Sequence, residues 1–269
     1  MKIATTVMIS VLIVSLTALS SFAQVAGKSQ IIVDDPRPIA SAAEKVEALY
    51  GWVITYEDPE WVVPSETQDV TDEVRRDHAT MPRVLIPRAR AFAFPLPAVK
   101  PGVGERVGLV QQLISASEMA GNPGQFRVFE SKGVLHIAPK QQEVSGPRSL
   151  QPALLDTEIS IAERNWNALS VLEAFCKELS KNSGEQVELG IIPVNTFFHQ
   201  HGLYKAAAIR ARDFLSSLLS GFGEGYSWQL FFDPSDRSYA LNIHRSVATT
   251  LPVEDKPRLS SEAVAPYHF

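Results

Sequence analysis

The stretch from Leu203 to His244 constrains the fold more than any other part of this chain. Its pattern predicts a strand, a helix, and then two strands joined by a tight turn. Five apolar residues recur in the helical part at i, i+3, i+4, i+7 and i+8, and they are Ala211, Phe214, Leu215, Leu218 and Leu219. That spacing places them on one helical face. A helix of this kind lying across a small sheet buries the apolar side of both.

Apolar residues alternate with other residues in the two predicted strands, and they form the sheet side of this core. The residues sharing one face are Trp228, Leu230 and Phe232 in the first strand of the pair, and Tyr239, Leu241 and Ile243 in the second. The sequence Asp233-Pro234-Ser235-Asp236 between them is typical of a turn. We therefore expect Phe214 and Leu218 to pack on the row that contains Trp228. Gly221 follows the helix, where we predict a left-handed C-cap.

The same order of elements occurs earlier in the chain in a weaker form, near Val107 to Pro139. A helix over Pro38–Tyr50 and a strand over Trp52–Tyr56 precede that copy. The sequence therefore predicts an α+β fold of two tandem repeats, each with two helices packed on a small, mostly antiparallel sheet. The predicted boundaries are residues 24–140 for the first repeat with an insertion at 60–90, 141–152 for a linker, 153–246 for the second repeat, and 247–269 for a polar C-terminal tail.

The N-terminus has the pattern of a secretory signal peptide over residues 1–23. Lys2 precedes an apolar run from Val7 to Leu19, and small residues occupy the −3 and −1 positions of a cleavage site at Ser21 and Ala23. The apolar run is short for a membrane span, although an uncleaved anchor is the alternative. We predict a mature chain that begins at Gln24, lies in the periplasm or outside the cell, and has no stable membrane insertion after cleavage.

The segment from Gly202 to His244 resembles the short N-terminal domain shared by secretins and TonB-dependent receptors. The resemblance runs through the strand Lys205–Ala208, the helix Ala211–Leu219, the strand Tyr226–Leu230 and the hairpin return Tyr239–Ile243. The whole chain also resembles secreted bacterial two-repeat proteins that open with Glu47-Ala48-Leu49-Tyr50-Gly51 and Ile54-Thr55-Tyr56-Glu57-Asp58-Pro59. These resemblances imply an interaction module of the bacterial envelope rather than an enzyme. No barrel, plug or pore pattern follows, so pore assembly and signalling do not carry over.

The charge of the chain limits the classes of partner, and its cysteine content limits the cysteine chemistry. The net charge is −5, with basic and acidic residues interspersed, which argues against nucleic acid as a partner. The single cysteine, Cys176, excludes an internal disulfide, and its position in an apolar helical pattern predicts a buried, unreactive thiol. We predict no cofactor and no metal.

Three residues are candidates for ligand or partner contact: Trp61, His199 and His201. Trp61 begins the insertion, where an aromatic side chain either anchors a partner or packs the insertion onto the domain. The two histidines lie in a predicted loop over Pro193–His201, and they are too few for a zinc site. Trp52 and Trp228 fall in strand patterns and are predicted to be core residues.

Two further polar features of the sequence are predicted to be structural rather than catalytic. Glu57-Asp58, ahead of Pro59, is predicted to end a strand as a turn. His136 and Asn242 occupy matching positions in the two hairpins and are predicted to lie on an exposed strand face.

The sequence thus favours an exported, non-enzymatic interaction protein that binds an envelope or periplasmic protein. The alternative is a small-molecule or glycan binder that uses a cleft between the repeats, marked by a pocket converging on Trp61, His199 and His201. A hydrolase is a third class, which clustered titratable groups with shifted pKa values would support.

Overall fold

A computed structural model of the chain describes residues 30–140 and 152–246, except residues 62 and 224. It has the predicted α+β class, which is thereby confirmed. Six α-helices occur in this part of the chain: α1 Pro38–Tyr50, α2 Thr71–Val74, α3 Arg106–Met119, α4 Ala168–Ser183, α5 Val194–His199 and α6 Ala211–Ser220. The strands are β1 Gln30–Val33, β2 Ile54–Glu57, β3 Thr67–Asp69, β4 Leu85–Pro87, β5 Phe92–Pro95, β6 Phe126–Ser131, β7 Val134–Pro139, β8 Glu158–Asn167, β9 Gln186–Leu189, β10 His201–Arg210, β11 Tyr226–Asp233 and β12 Ser238–Arg245.

One six-stranded sheet runs through both halves of the chain, in the order β6-β7-β2-β11-β12-β9. The hairpins β6–β7 and β11–β12 are antiparallel, whereas β2 lies parallel to both β7 and β11. Strand β12 is parallel to β9. The two halves therefore share one sheet, which the repeat pattern by itself did not predict.

Each half contributes strands in the same arrangement. The hairpin β6–β7 is followed across the sheet by β2, as the hairpin β11–β12 is followed by β9. Each half also has a separate antiparallel ribbon, β1–β5 in the first and β8–β10 in the second. The prediction that the two units superpose stays a prediction, and this shared pairing is consistent with it.

A local detail also recurs. The carboxylate of Glu47, near the end of α1, accepts the backbone N–H of Ile54, seven residues further on, at 2.7 Å. The hydroxyl of Ser180, near the end of α4, accepts the N–H of Val187, again seven residues further on, at 2.9 Å. In both halves, a side chain from the last helical turn thus fixes the start of the following strand.

The helices of the two halves cover opposite faces of the sheet. Successive residues of a strand point to opposite faces. Trp228 of β11 stacks beside Arg212 of α6, whereas its neighbour Gln229 bonds Glu44 of α1 at 2.8 Å. Helix α4 lies beside α6, and the rings of Phe175 on α4 and Phe214 on α6 stack with their centroids 5.9 Å apart.

The residues predicted to form the core of the second half are buried, and Phe214 stacks on Phe175 of α4. All five apolar residues of the α6 stripe are buried, as is the facing row that contains Trp228. Helices α1 and α4 end at glycines with left-handed backbone, Gly51 at φ 66° and Gly184 at φ 82°. The left-handed cap predicted at Gly221 is wrong: its φ is −70°, and the positive φ comes at Gly223. Helix α6 therefore runs into a right-handed turn first.

The insertion is more ordered than its lack of periodicity suggested, since it contains the ribbon β3–β4 and helix α2. It also touches the second half of the chain. The Leu85 N–H donates to the Ser235 hydroxyl at 2.9 Å, and Arg237 forms an ion pair with Glu60. The insertion is therefore held against the β11–β12 turn.

Trp61 attaches the insertion to the core. Its side chain is 6% exposed, and its ring lies against Gly124 and Phe126. Of the two alternatives predicted for Trp61, the structure agrees with the one in which it packs the insertion onto the domain. A solvent-facing contact at Trp61 is incompatible with this burial.

Truncation of this side chain, Trp61→Ala, is expected to lower the free energy of unfolding by about 3 kcal/mol, because it removes a large buried ring and leaves a cavity. Urea unfolding of the chain from residue 24 measures this. Val63→Ala, at a nearby exposed position, is the matched control, with an expected change below ~0.5 kcal/mol. Equal stability of the two variants would contradict the assigned packing.

Candidate functional site

Among the described residues, the exposed large apolar side chains are densest along the sequence in the second half. Ile191, Val194, Phe198 and Leu203 fall within thirteen residues of sequence and are 48% to 78% exposed. We call Ile191 to Leu203 the α5–β10 surface. Exposed apolar residues scattered singly need no explanation, but several large ones on adjacent elements form a candidate interaction site.

Helix α5 is short and two-sided, which explains why apolar residues face solvent there. Phe197 is fully buried, and its ring packs on Phe222 and Tyr226 at centroid distances of 5.4 and 5.3 Å. Val194 and Phe198 are four residues apart, so they share the opposite, outward side. One side of α5 therefore anchors it, and the other remains available.

The two candidate histidines lie on this surface. His199 is the last residue of α5, its ring beside that of Phe198, and His201 is the first residue of β10. Both are exposed. The predicted loop over Pro193–His201 is wrong in its larger part, because α5 forms there. Within the described ranges, no group of three or more His, Cys, Asp or Glu side chains is placed to hold a metal ion.

Trp61 does not join the histidines in one pocket. It lines a pocket of about 10 Å³ in the first half, together with Pro36 and Phe126. A space of that size holds roughly one water molecule. The pocket expected to converge on Trp61, His199 and His201 is therefore not formed by these residues.

A set of buried charges lies where the two halves meet. Glu57, on β2, is fully buried and forms an ion pair with Arg212 of α6, which is 3% exposed. The other oxygen of Glu57 accepts the backbone N–H of Leu155 at 3.1 Å. Arg212 Nε also donates to Asp156 at 3.3 Å, and Asp156 pairs with Arg127. The charges alternate along this row of side chains, and its ion pairs connect β2, α6 and β6.

Asp58 performs a similar role on the other side of β2. Its carboxylate accepts hydrogen bonds from Arg37 at 2.7 Å, from the hydroxyl of Tyr56 at 2.6 Å and from the backbone N–H of Phe232 at 3.0 Å. Its own N–H donates to the carbonyl of Leu230 at 2.8 Å. The strand does end at Glu57, as predicted for Glu57-Asp58, but the two residues are buried and bonded rather than part of a turn. The two residues extend the seam between β2 and β11.

His136 is also buried, which overturns the predicted exposed strand face. It is 1% exposed, and its Nδ1 lies 2.7 Å from the hydroxyl of Thr55 on β2. Burial, together with the charge of Arg212, lowers the pKa of His136 to about 3, although Asp156 acts in the opposite direction. The imidazole is therefore neutral at physiological pH. Its burial follows from helices covering both faces of the sheet.

A further polar contact between the halves joins α1 to β12. Glu47 is 2% exposed and lies 2.7 Å from His244 Nε2. Burial raises the pKa of Glu47 above its usual range. Burial alone would lower the pKa of His244, but the hydrogen bond and charge of Glu47 raise it overall. Both shifts favour a proton held within the pair.

Neither the polar groups at the seam nor the cysteine suits catalysis. The pair Glu57–Arg212 is enclosed, so a substrate has no access to it. Cys176 is buried, and burial raises the pKa of its thiol to about 12. The prediction that the thiol is buried is confirmed, and its raised pKa supports the expectation that it is unreactive.

A cleft of about 200 Å³ lies over the seam, on the face covered by α6. The first half contributes Val53, Thr55 and Val134, and the second contributes Ser216 and Trp228. Sequence patterns did not single out this site, because they do not show which sheet face each helix covers. The one available signal was the Ser131-Lys132-Gly133 turn, which lies at the mouth of the cleft.

No protein-family model, curated protein or solved structure matches this chain. Among the helices of the described residues, none combines the length and apolar character that crossing a bilayer requires. The predicted signal peptide, linker and C-terminal tail lie outside the described residues, apart from Pro152 at the end of the linker.

Proposed function

We propose that this chain is an exported, non-enzymatic interaction module of the bacterial cell envelope that binds a partner protein through the α5–β10 surface. The observation that carries this proposal is the exposure of four large apolar side chains within thirteen residues, Ile191, Val194, Phe198 and Leu203, each about half exposed or more. Burial of such side chains against a partner is favourable by roughly 25 cal/mol per Å² of apolar area removed from water.

Two sequence features support this function. The signal-peptide pattern at residues 1–23 supports a location outside the cytoplasm. The resemblance of Gly202–His244 to the N-terminal domain of secretins and TonB-dependent receptors associates it with envelope assemblies. The apolar surface ends in strand β10, where the resemblance begins, so the two arguments meet on one element.

The chemistry of the surface suggests what the partner offers. His199 and His201 are exposed and close in sequence to the apolar side chains, whereas the exposed Lys205 is already paired with Glu163. Apolar side chains with polar neighbours are the ordinary anatomy of a protein interface. We expect a partner that presents apolar side chains.

Replacement of Phe198 and Leu203 together by Ser is expected to abolish binding of the partner without unfolding the chain, because both side chains are exposed. The measurement is photo-crosslinking from position 194 in envelope extract, compared among wild type, the double variant and a control. The control, Val99→Ser with Met119→Ser, removes two apolar side chains elsewhere that are 78% and 83% exposed. A crosslinked species that persists in the Phe198/Leu203 variant, or that the control loses equally, would refute this surface.

A further inference from the structure

Strand β9 of the second half is the counterpart of β2 in the first. Residues of α1 and β2 correspond to residues of α4 and β9 at one constant offset along the chain. The matched pairs are Ile39 and Leu172, Val46 and Leu179, Gly51 and Gly184, and Ile54 and Val187. Both glycines have left-handed backbone, and the N–H of each strand residue is bound by a side chain seven residues earlier.

A half-turn about a line that crosses the strands relates the two halves of the sheet. The order β6-β7-β2 continues as β11-β12-β9, so corresponding strands follow in the same sense across the sheet. Strand β2 is parallel to β7 and β11, whereas β12 and β9 run opposite to β11. Strands of the second half therefore run opposite to their counterparts, and its helices cover the other face. A half-turn with a shift along the sheet produces both reversals.

This arrangement fills the outer edge of β2 and leaves the same edge of β9 open. On β2, Tyr56 faces Gln229 of β11. At the constant offset, Leu189 of β9 corresponds to Tyr56. Among the described residues, no strand pairs with the outer edge of β9, nor with that of β6 at the other end of the sheet.

Backbone groups are available at the open edge of β9. The N–H of Gly190 bonds the carbonyl of Leu241 on β12 at 2.9 Å. Neighbouring residues of a parallel strand bond to opposite sides, so the N–H and C=O of Leu189 face away from β12. Unpaired groups of this kind are a template for another strand.

Side chains beside this edge are exposed where their counterparts are buried. Thr55 faces the second half across the cleft and is 1% exposed, whereas its counterpart, Glu188, is exposed. Asp58 is 1% exposed, but its counterpart, Ile191, is 78% exposed. The second half thus lacks the cover that it provides to the first.

A matching exposed surface lies on the first half. Ser220, the last residue of α6, lines the cleft over the seam. Met119, the last residue of α3, is 83% exposed. If the half-turn is applied once more, Met119 of a second copy lies over the open face beside β9, as Ser220 lies beside β2. Burial of Met119 and Ile191 in such a joint is favourable.

We propose that β9 of one chain pairs in parallel with β6 of a second copy, so that chains join head to tail by the operation that joins the two halves. Such a contact is heterologous, and each added copy leaves one edge open. It therefore continues beyond two chains. The occupant is another copy of this chain, so the proposal goes beyond the binding of an envelope protein at the α5–β10 surface, although Ile191 borders both.

The test follows the mass of the chain from residue 24 by sedimentation between about 1 µM and 1 mM, the range of weak complexes. We expect the weight-average mass to rise with concentration and to pass twice the mass of one chain. A mass that stays at one chain overturns the proposal. A mass that stops at two chains also overturns it, because a two-fold pair closes on itself.

Variants locate the joint. Leu189→Pro removes the N–H that faces the open edge, a position where edge strands tolerate proline, and should abolish the association. Met119→Ser, at an exposed position, should weaken it about threefold or more and decides the matter if Leu189→Pro does not fold. Leu203→Ser, in the α5–β10 surface, should leave it unchanged, which separates failure of this joint from failure of the proposed function. Association that Met119→Ser does not weaken overturns the joint.

Crosslinking tests the orientation. A chain with Met119→Cys is mixed with a chain with Glu188→Cys and treated with a short bismaleimide; both positions are exposed, and Cys176 is buried. We expect crosslinked pairs in the mixture and few from either chain alone. Leu203→Cys in place of Glu188→Cys is the matched control, and equal product from it overturns the head-to-tail joint.

Discussion

Replacement of Arg212 by Met is expected to lower the free energy of unfolding by about 3–5 kcal/mol, because it leaves the carboxylate of Glu57 buried without its counter-charge. Glu57 is fully buried and Arg212 is 3% exposed, so water does not compensate for the lost partner. The change also removes the Arg212–Asp156 contact and the guanidinium beside the Trp228 ring. Urea unfolding of the chain from residue 24 measures the loss.

A double variant separates the lost charge from lost packing. Glu57→Gln combined with Arg212→Met removes both charges, and it should cost less than Arg212→Met alone, since no uncompensated charge remains at this pair. Lys205→Met is the matched control. It breaks an ion pair with Glu163 whose side chains are 69% and 47% exposed, and such surface pairs contribute ~0–1 kcal/mol. An Arg212→Met variant no less stable than Lys205→Met would disprove this role of the seam.

Acidification is expected to remove about 4–5 kcal/mol of stability through His136 alone, between pH 6.5 and pH 3. The folded-state pKa of His136 is about 3, whereas the ordinary value is 6.5. The unfolded chain therefore takes up a proton over this range, and the folded chain does not. The contribution of neutral His136 is fully present above pH 6.5 and declines as pH falls, at about 1.4 kcal/mol per pH unit.

Comparison with His136→Gln isolates this effect, because glutamine does not titrate and its amide retains a polar partner for Thr55. Other acidic groups titrate in both proteins, so the difference between the two stability curves reports His136. Denaturant unfolding at pH 7, 6, 5 and 4 supplies the curves. Below pH 6.5, the free energy of unfolding of the wild type should fall more steeply with pH than that of the variant. The difference in slope should correspond to the uptake of nearly one proton on unfolding. Parallel curves would show that His136 is not held neutral by its surroundings.

Local patterns predicted the elements well. The helix predicted over Pro38–Tyr50 has those bounds in the structure, because Pro38 suits the first helical turn and Gly51 adopts the left-handed backbone that ends it. The spacing of apolar residues in α6 predicted which of its side chains are buried. Both depend on interactions over one or two helical turns, which the sequence displays directly.

The candidate site was predicted less well. His199 and His201 lie on an exposed apolar surface, but the apolar residues around them were not singled out, since exposure of Phe198 depends on which side of α5 packs inward. An aromatic residue at position 61 is compatible with both a buried and an exposed side chain, so the sequence did not decide between them. Its burial depends on Gly124 and Phe126, more than sixty residues further along the chain.

The sequence by itself determined the α+β class, the order of the longer helices and of the hairpin strands, and the apolar faces that form the core, because each follows from a repeating spacing along the chain. It did not predict β1, α5, or the helix and ribbon of the insertion. Only the tertiary structure decided that the two halves join through β2 and β11 into one sheet. Pairing between these strands is made by backbone groups, which every residue carries, so no periodicity reveals it. Once the strands pair, helices cover both faces of β2 and β7. That coverage buries Glu57 and His136, which have the composition of surface residues, and it opens the cleft above them.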